Sequence, residues 1–337
     1  MLRTVSIVVL IAFVSLVGLS QDESSKKLFS FKLSNKCGYI DQEGKIVISP
    51  QFDFCDMFSE GLAAVSLSGK SGYIDETGKI VIPPQFDYFL SDQFSEGLAS
   101  ITLPINGTRK RERGYVDRFG QVKLLEGVLE VYPFSEGIAL FKQNERYGYI
   151  NKRMEVIIQP EFFVARSFSN GRAWVSDKSG NEYYIDVAGR KVIADVGTYL
   201  SDFSEGLATV VTKYYGYAYI DVNGKQPIKR HFLYACLFNE GLACAKGFNG
   251  KWGYIDKMGA FVISPRFDEA GDFSSDGIAV ASLDGKYGLI DRTGKFVIQP
   301  RYDDASWLGG LALVEASGVR QYINHEGEVV FQVREPQ

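Results

Sequence analysis

Short apolar runs recur along the whole chain, and residues that favour turns separate them. The clearest run is the string G-Y-I-D, whose variants repeat at spacings of 33 to 42 residues. A second string, Phe-x-Glu-Gly, follows the same rhythm from Phe58 to Phe273, with Trp307 at its last place. Two independent strings that share one period indicate tandem repeats of about 35 residues, eight complete and one terminal partial. The closing acid or amide of the first string lies at Asp41, Asp75, Asp117, Asn151, Asp186, Asp221, Asp256, Asp291 and Asn324.

The first half of each repeat predicts a β-hairpin, as the unit Glu240–Pro265 illustrates. Gly241–Ala245 is small and apolar, and Trp252–Asp256 alternates between two faces, as expected of neighbouring strands. Between them, Asn249 and Gly250 are typical of a two-residue type I′ turn, which requires positive φ at both central residues.

The second half of the repeat predicts a turn and a third strand. Asp256–Gly259 has the form Asp-x-x-Gly, in which the Asp side chain bonds the turn backbone and Gly takes the left-handed conformation. Ala260–Ile263 is the third strand, and Pro265 is expected to end it because proline cannot donate to a central ladder. Arg266–Phe273 then leads to the next repeat. The predicted fold class is therefore all-β, built from three-stranded antiparallel meanders.

Stacking of neighbouring meanders is required, because a single one is too small to be stable by itself. We predict that the tandem repeats form an open solenoid or superhelix. The alternative is a closed, propeller-like ring. A repeat of about 35 residues is short for a four-stranded blade, whose common repeats have about 40 or more.

The residues of the repeat resemble those of a known family. The strings K-W-G-Y-I-D at 251–256 and K-Y-G-L-I-D at 286–291 are similar to the signature of WG (KWG) repeats, and the flanks E-G-L-A at 60–63 and G-K-I-V-I at 78–82 match as well. The resemblance covers roughly residues 36–331. It implies a β-repeat architecture in a mostly bacterial family that mediates interactions, and it implies no catalytic residues. The tryptophan is kept at Trp252, whereas other copies have Cys37, Ser71, Arg113, Tyr147 or Tyr287.

The N-terminus has the pattern of a secretory signal peptide. Arg3 gives it a positive start, Val5–Leu19 is almost continuously apolar, and the small residues Gly18 and Ser20 precede a cleavage point. The apolar run is short for a bilayer span, which needs about 20 residues, so an uncleaved membrane anchor is the less favoured alternative. We predict a signal peptide at 1–20, a linker at 21–35 and the repeat array at 36–337. Export by the general secretory route to the periplasm, the cell surface or the extracellular medium would follow.

Charge and cysteine content restrict the kinds of partner and the cellular compartment that we expect. Residues 21–337 have a net charge of −5. This argues against nucleic acid as a partner, which favours a basic face, and no later segment is apolar enough for a membrane span. Cys37 with Cys55 and Cys236 with Cys244 are close enough in sequence to bridge neighbouring strands. In an exported protein they are either disulfides or small buried apolar residues, and the sequence does not fix the pairing.

Residues suited to catalysis or to a cofactor are sparse. His231 and His325 are 94 residues apart in different repeats, and neither they nor the cysteines have zinc-site spacing. The Asp-x-x-Gly turns lack the further oxygen ligands and the twelfth-position Glu of a calcium loop. We therefore expect no enzyme activity, no cofactor and no metal. The alternative is a carbohydrate-active hydrolase that uses paired carboxylates on the repeat scaffold.

Departures from the repeat supply the candidate binding residues. One departure is a basic run in the longest spacing, which is either an anion contact or a solvated hairpin tip. The other is a stretch of tyrosines that forms either an exposed platform for sugars or peptides or part of the core. The candidates are Arg109, Lys110, Arg111, Arg113, Tyr214, Tyr215 and Tyr217.

The repeated acids of the Phe-x-Glu-Gly string, such as Glu60, Glu96 and Glu136, allow two interpretations. They bind cations or basic ligands, or they fix the loop before each first strand, and their repetition with the scaffold favours the second. The sequence thus predicts an exported binding or scaffolding module for a protein or a cell-envelope polymer.

Overall fold

The computed structural model describes residues 27–87, 93–104, 111–194, 197–198, 201–213 and 216–332. These residues form 32 β-strands and no helix, which confirms the all-β prediction. Every pairing is antiparallel within this part of the chain, and the strands group into nine small sheets, numbered 1 to 9 in chain order.

The bounds of the strands follow the repeat. Sheets 1 to 3 consist of β1 (Phe29–Leu33), β2 (Lys36–Ile40) and β3 (Ile46–Phe52); β4 (Phe54–Cys55), β5 (Leu62–Leu67), β6 (Lys70–Asp75) and β7 (Ile80–Asp87); and β8 (Leu98–Pro104), β9 (Arg111–Asp117) and β10 (Val122–Leu125). Sheets 4 to 6 consist of β11 (Val128–Ser135), β12 (Ile138–Gln143), β13 (Arg146–Asn151) and β14 (Val156–Phe162); β15 (Val164–Ala165), β16 (Ala173–Ser176), β17 (Glu182–Ile185) and β18 (Lys191–Ala194); and β19 (Leu207–Thr212) and β20 (Gly216–Asp221). Sheets 7 to 9 consist of β21 (Tyr234–Ala235), β22 (Ala243–Lys246), β23 (Trp252–Ile255) and β24 (Phe261–Phe267); β25 (Glu269–Ala270), β26 (Ala279–Leu283), β27 (Lys286–Ile290) and β28 (Phe296–Tyr302); and β29 (Asp304–Trp307), β30 (Ala312–Ala316), β31 (Val319–Ile323) and β32 (Val329–Gln332).

Most repeats contribute one strand more than the sequence predicted. Six of the nine sheets have four strands rather than three in the described ranges. The added strand is the first of its sheet, and in sheet 7 it is the two-residue β21, which is too short to show alternation in the sequence. The linker predicted at 21–35 extends too far toward the C-terminus, because β1 (Phe29–Leu33) lies within it and pairs with β2 along the whole strand. The last repeat, predicted as partial, forms the four-stranded sheet 9.

The turns agree with the sequence at most positions. The pairs Ser68–Gly69 and Asp284–Gly285 lie at the place equivalent to Asn249–Gly250 in their repeats, and both residues of each pair have the positive φ that a type I′ turn requires. At Asn249–Gly250 the prediction is wrong, because the N–H of Gly250 donates to the carbonyl of Gly247 and closes a longer turn. There the side chain of Asn249 accepts from the N–H of Lys251.

The glycine of the W-G pair is required by a backbone contact. Opposite Gly253, strand β24 carries two extra residues, since the pairing passes from Trp252–Phe267 to Tyr254–Ile263. A Cβ on Gly253 would lie 2.8 Å from the backbone nitrogen of Pro265 and closer still to a carbonyl oxygen of the same strand. The prediction that Pro265 ends the strand is therefore wrong, because the bulge removes the need for a donor N–H at that place.

Sheets that lack this glycine also lack the bulge at this position. In sheet 5, Tyr183 and Tyr184 pair with Ala194 and Ile193 in regular register, and in sheet 9 the residue at the glycine position, Gln321, pairs regularly as well. Within the described sheets the two-residue bulge therefore occurs only opposite a glycine, although Gly114 of sheet 3 pairs with Leu124 in regular register.

We expect Gly253→Ala to destabilise the protein by about 1–3 kcal/mol, because the added methyl group meets backbone atoms that cannot move without breaking the sheet. Urea unfolding followed by circular dichroism measures this. Ala218→Gly in sheet 6 is the matched control, and it should cost no more than about 1 kcal/mol. Equal effects of the two changes would contradict the steric explanation.

Each sheet is buried on both faces. In β23, Tyr254 and Ile255 point to opposite faces, yet both are fully buried. Ile255 belongs to a cluster with Tyr219 and Phe232 around sheet 6, whereas Tyr254 belongs to a cluster with residues of sheet 8. The sheets therefore stack face to face. The two adjacent residues at these positions, which are Tyr-Ile in most repeats, join each sheet to both neighbours.

Nine apolar clusters join successive sheets in the part of the chain that the structure describes. Eight of them lie between sheets that are neighbours in sequence. The ninth contains Phe29, Phe31 and Ile40 of sheet 1 together with Leu311 and Tyr322 of sheet 9. The first and last sheets thus contact each other as the others do.

In most of the described repeats the buried tyrosine also makes a directed bond to the next sheet, whereas sheet 8 has Leu289 at this position. Tyr254 donates its hydroxyl hydrogen to the carbonyl of Gly271 at 2.7 Å, and five other repeats show the same bond over 17 residues. Tyr322, in the last described sheet, donates to the carbonyl of Ser30 in β1, at 2.7 Å.

Two disulfides add covalent links. Cys37 of sheet 1 is bonded to Cys55 of sheet 2, and Cys236 is bonded to Cys244 within the repeat of sheet 7. These are the two pairs that sequence proximity suggested. The predicted signal peptide at 1–20 lies outside the described residues. Across the described ranges, no helix combines the length and hydropathy needed to cross a membrane.

Candidate functional site

The repeated acids connect the sheets to one another. The carboxylate of Glu60 accepts from the backbone N–H groups of Glu96 and Gly97 in the next repeat, at 2.7 and 2.9 Å. The carboxylate of Glu136 does the same for the following loop, and Glu205 accepts from the N–H of Gly241. The structural interpretation of these acids is confirmed, with the difference that each acid fixes the loop of the next sheet rather than its own.

Basic side chains complete this network. Lys152 lies 2.9 Å from Glu96, and Lys257 lies 3.0 Å from Glu205. Burial opposes ionisation of Glu205, but Lys257 and the N–H of Gly241 outweigh it and lower the pKa of this carboxyl below its ordinary value. The same balance, with Lys152, lowers the pKa of Glu96. These acids are therefore occupied within the scaffold.

The Asp-x-x-Gly turns use their acids locally. The carboxylate of Asp256 accepts from the N–H groups of Met258 and Ala260, at 2.9 and 3.0 Å. Asp221 makes the equivalent bonds in sheet 6. The predicted role of these residues in closing the turn is confirmed.

We expect the free energy of unfolding to decrease as the pH falls below about 4.5. Glu96 and Glu205 have a lower pKa in the folded protein than their ordinary value of 4.5. Their stabilising contribution is therefore complete above that value and is lost as the pH passes down through the folded pKa. Urea unfolding at a series of pH values from about 7 to about 3 measures it.

Glu205→Gln should reduce this pH dependence, because it removes one of the ionised groups that the folded state favours. Glu43→Gln, at an exposed turn position, is the matched control. An unchanged slope in Glu205→Gln would show that the inter-sheet carboxylates do not cause the loss of stability in acid.

The basic run is only partly described. Arg109 and Lys110 lie outside the described residues. Arg111 and Arg113 lie in strand β9 and pair with Pro104 and Thr102. The hydrogen bond from Tyr132 and the charge of Lys142 lower the pKa of Glu130, and Arg113 adds to this effect.

The tyrosine stretch divides between core and surface. Tyr214 and Tyr215 lie outside the described residues. Tyr219 is fully buried and donates to the carbonyl of Cys236, and Tyr184 makes the equivalent bond in sheet 5. Tyr217, in contrast, is half-buried at the surface of sheet 6.

Tyr217 begins a row of rings that sequence analysis did not assemble. Its ring centroid lies 4.6 Å from that of Tyr234, and the ring of Tyr234 lies 5.4 Å from that of Trp252. Tyr234 is 46% exposed, and the other two rings are half-buried. Burial and the neighbouring Tyr234 hydroxyl raise the pKa of Tyr217, so the phenol stays neutral. We call Tyr217, Tyr234 and Trp252 the aromatic platform.

A lysine lies within the platform. Lys246 pairs across the sheet with Tyr234 on one side and Trp252 on the other. Its Nζ lies 5.8 Å from the centroid of the Trp252 ring, so the two side chains share one face of sheet 7. Amphipathic rings and a cation on one surface are suited to binding a ligand with flat apolar faces and negative charge.

Tyr234 escaped sequence analysis because β21 has only two residues and lies in a segment expected to be a loop. The signal that identifies it is a comparison of equivalent positions. At the place of Tyr234, sheets 4, 8 and 9 carry the acids Glu130, Glu269 and Asp304. Sheets 2 and 5 carry the exposed apolar residues Phe54 and Val164 there, so the position varies between repeats, and Tyr234 differs in lying between two further rings.

Two carboxyls have a raised pKa. Burial raises the pKa of Asp272, and burial also raises that of Asp202, although Arg166 opposes it. Asp272 lies against the Cys236–Cys244 disulfide, with 3.6 Å between its Oδ1 and the Cys244 sulphur. Ligand atoms of these three residues lie within 4.8 Å of one another, but sulphurs joined in a disulfide are not thiolate ligands for a metal.

The stacked sheets define a tandem β-repeat protein. Six segments match the family model for the WG containing repeat, and together they cover more than half of the chain. The protein therefore belongs to the WG-repeat family, which confirms the resemblance seen in the sequence. The matched residues are 38–70, 72–103, 114–147, 147–180, 252–287 and 287–318.

Solved structures show a likeness of fold. The crystal structure of the eukaryotic initiation factor is similar over 92% of this chain and 98% of that chain, with a TM-score of 0.63 and 12% identity. BamB from Moraxella catarrhalis is similar over 79% of this chain and 92% of its own, with a TM-score of 0.41 and 10% identity. The first likeness concerns the fold alone, and the second supports no further argument. No curated relative matches the sequence.

Proposed function

We propose that this protein is an exported, non-catalytic binding module that holds a protein or a cell-envelope polymer at the aromatic platform. The platform carries the proposal, because it places three rings and a lysine on one surface, where sheets 4, 8 and 9 carry an acid in place of Tyr234. The repeated acids are occupied by bonds between sheets, so they are poor candidates for binding a partner. Exposed apolar groups that are clustered in this way mark interaction sites.

Export is the second part of the proposal. The apolar N-terminal pattern at 1–20 supports it, and so do the disulfides Cys37–Cys55 and Cys236–Cys244. Disulfides persist in oxidising compartments and are rare in the cytosol. The periplasm, the cell surface and the extracellular medium all satisfy this condition.

We further propose that the nine sheets close into a propeller-like ring rather than an open solenoid. Three contacts between sheets 9 and 1 support closure. Each is equivalent to a contact found between other pairs of neighbouring sheets. They are the shared apolar cluster, the bond from Tyr322 to Ser30, and the approach of Gly44 to Val330. In other sheets the glycine equivalent to Gly44 packs against the preceding sheet, as Gly294 does against Ile263.

If the ring is closed, Tyr322→Phe should cost about 1–2 kcal/mol, because it leaves the part-buried carbonyl of Ser30 without its donor. Tyr254→Phe, in the middle of the chain, is the matched control and should cost about the same. In an open array the hydroxyl group of Tyr322 would face solvent, and its loss would cost almost nothing. Urea unfolding of both variants therefore separates the two arrangements.

Binding is tested with immobilised protein of residues 21–337 and fractionated envelope polymers and secreted proteins of the source organism. We expect saturable retention of one fraction and at least tenfold weaker retention by Tyr234→Ala, since aromatic anchors contribute most to interfaces. Phe54→Ala is the matched control, because Phe54 is an exposed ring at the equivalent position of sheet 2.

Three results would contradict the proposal. They are the absence of retention in every fraction, equal effects of the two alanine variants, and release of reducing sugar from a retained polymer. The last result would favour a hydrolase instead.

A further inference from the structure

A row of three side chains in sheet 4 shows how the protein pairs the charge of a lysine with its own acids. Glu130, Lys142 and Tyr147 lie side by side across strands β11, β12 and β13. Lys142 lies 3.3 Å from Glu130 and 3.2 Å from Glu145. Its ammonium lies 5.4 Å from the centroid of the Tyr147 ring. The charge of this lysine is thus compensated within the protein.

Sheet 7 has the same row with its acid replaced. Tyr234, Lys246 and Trp252 occupy the positions of Glu130, Lys142 and Tyr147. Within the described residues, Lys246 has no carboxylate at ion-pair distance. The platform therefore keeps the lysine and an aromatic ring but lacks the internal anion that completes the row in sheet 4.

The sequence around the platform carries a net positive charge, as Lys246 does. Residues 206–267, which include sheets 6 and 7, contain eight Lys or Arg and three Asp or Glu. The chain as a whole contains 37 and 41, so the remainder holds 29 and 38. Lys251 and Lys257 of this range are paired with Asp268 and Glu205 just outside it. The other cations still leave the platform in a basic part of an acidic protein, where an anionic ligand is attracted over a Debye length of about 10 Å.

We propose that the aromatic platform binds an acidic polysaccharide built from uronic acid units. Tyr217, Tyr234 and Trp252 contact the apolar faces of the sugar rings, and Lys246 pairs with a sugar carboxylate in the place that Glu130 takes in sheet 4. This inference rests on the proposed binding function and names the ligand class.

The geometry favours this ligand over other polyanions. The centroids of successive rings lie 4.6 and 5.4 Å apart, and the ring planes are inclined to each other by 43° and 62°. The rings thus form a faceted surface whose spacing suits a polymer that repeats a small ring. The phenol groups at the ring edges suit hydroxyl-rich ligands. A nucleic acid requires several cations to neutralise its phosphates, whereas the row contains one. An acidic peptide supplies carboxylates but no regular series of flat faces.

The test uses oligogalacturonate as the probe, its methyl ester as the neutral counterpart, and a single-stranded oligonucleotide as the competing polyanion. Isothermal titration calorimetry with the mature protein is expected to show binding of the acid, which weakens as salt is added. We expect Lys246→Met to weaken binding of the acid about tenfold and to leave the weak binding of the ester unchanged. Tyr234→Ala should weaken both.

Matched variants keep the test independent of folding. Lys142→Met changes the equivalent lysine of sheet 4 and should not alter binding of the acid. Melting temperatures are measured for each variant, and Lys246→Met should melt with the native protein because its lysine has no internal ion pair. Equal affinity for acid and ester, or no effect of Lys246→Met, would overturn the inference. Tighter binding of the oligonucleotide than of oligogalacturonate would overturn it as well, and would indicate a nucleic acid as the ligand.

Failure of this inference differs from failure of the proposed function. If oligogalacturonate does not bind but an envelope fraction is still retained through Tyr234, the ligand class is wrong and the binding function stands. If neither the probe nor any fraction binds, both are wrong.

Discussion

Burial of every sheet on both faces is the constraint on which the rest of the structure depends. A two-sided sheet of about 20 residues cannot shield its own apolar groups, so each sheet needs a neighbour on either side. The adjacent pair Tyr254 and Ile255 meets this need, because successive side chains of a strand point to opposite faces. The hydroxyl of the tyrosine adds direction to the contact, since it must find one particular carbonyl of the next sheet. A requirement for two neighbours at every position also disfavours free ends, and this is the physical basis of the proposed ring.

The same requirement explains how the repeated polar residues are used. Backbone N–H groups at the loops between sheets need acceptors, and the carboxylates of Glu60 and Glu136 supply them from the preceding repeat. An acid that recurs with the period of the scaffold therefore stabilises the scaffold. Chemistry directed at a partner is expected where the period fails, as it does at Tyr234.

The proposed function and the scaffold are related through preorganisation. The platform residues lie on strands or next to them, and their backbone is fixed by cross-strand pairing. A ligand therefore meets rings whose positions are already set, and little conformational entropy is lost on binding. In the row Glu130–Lys142–Tyr147, the fold holds a lysine on the middle strand and pairs its charge with an acid of the same sheet. Replacing the acid by an aromatic ring converts an internal ion pair into a surface that needs an external anion.

The sequence by itself determined the repeat, its period and the family, because these are patterns of the sequence. It also determined the all-β class and most of the turns, because these depend on interactions between residues close in the chain. It did not determine the two-residue strand β21 or the bulge at Pro265, since both arise from contacts with a neighbouring strand. It also found Tyr217 but not its partners Tyr234 and Trp252, which lie 17 and 35 residues further along the chain. Only the tertiary structure brings these three rings together, because the stacking of sheets 6 and 7 decides which side chains of different repeats become neighbours.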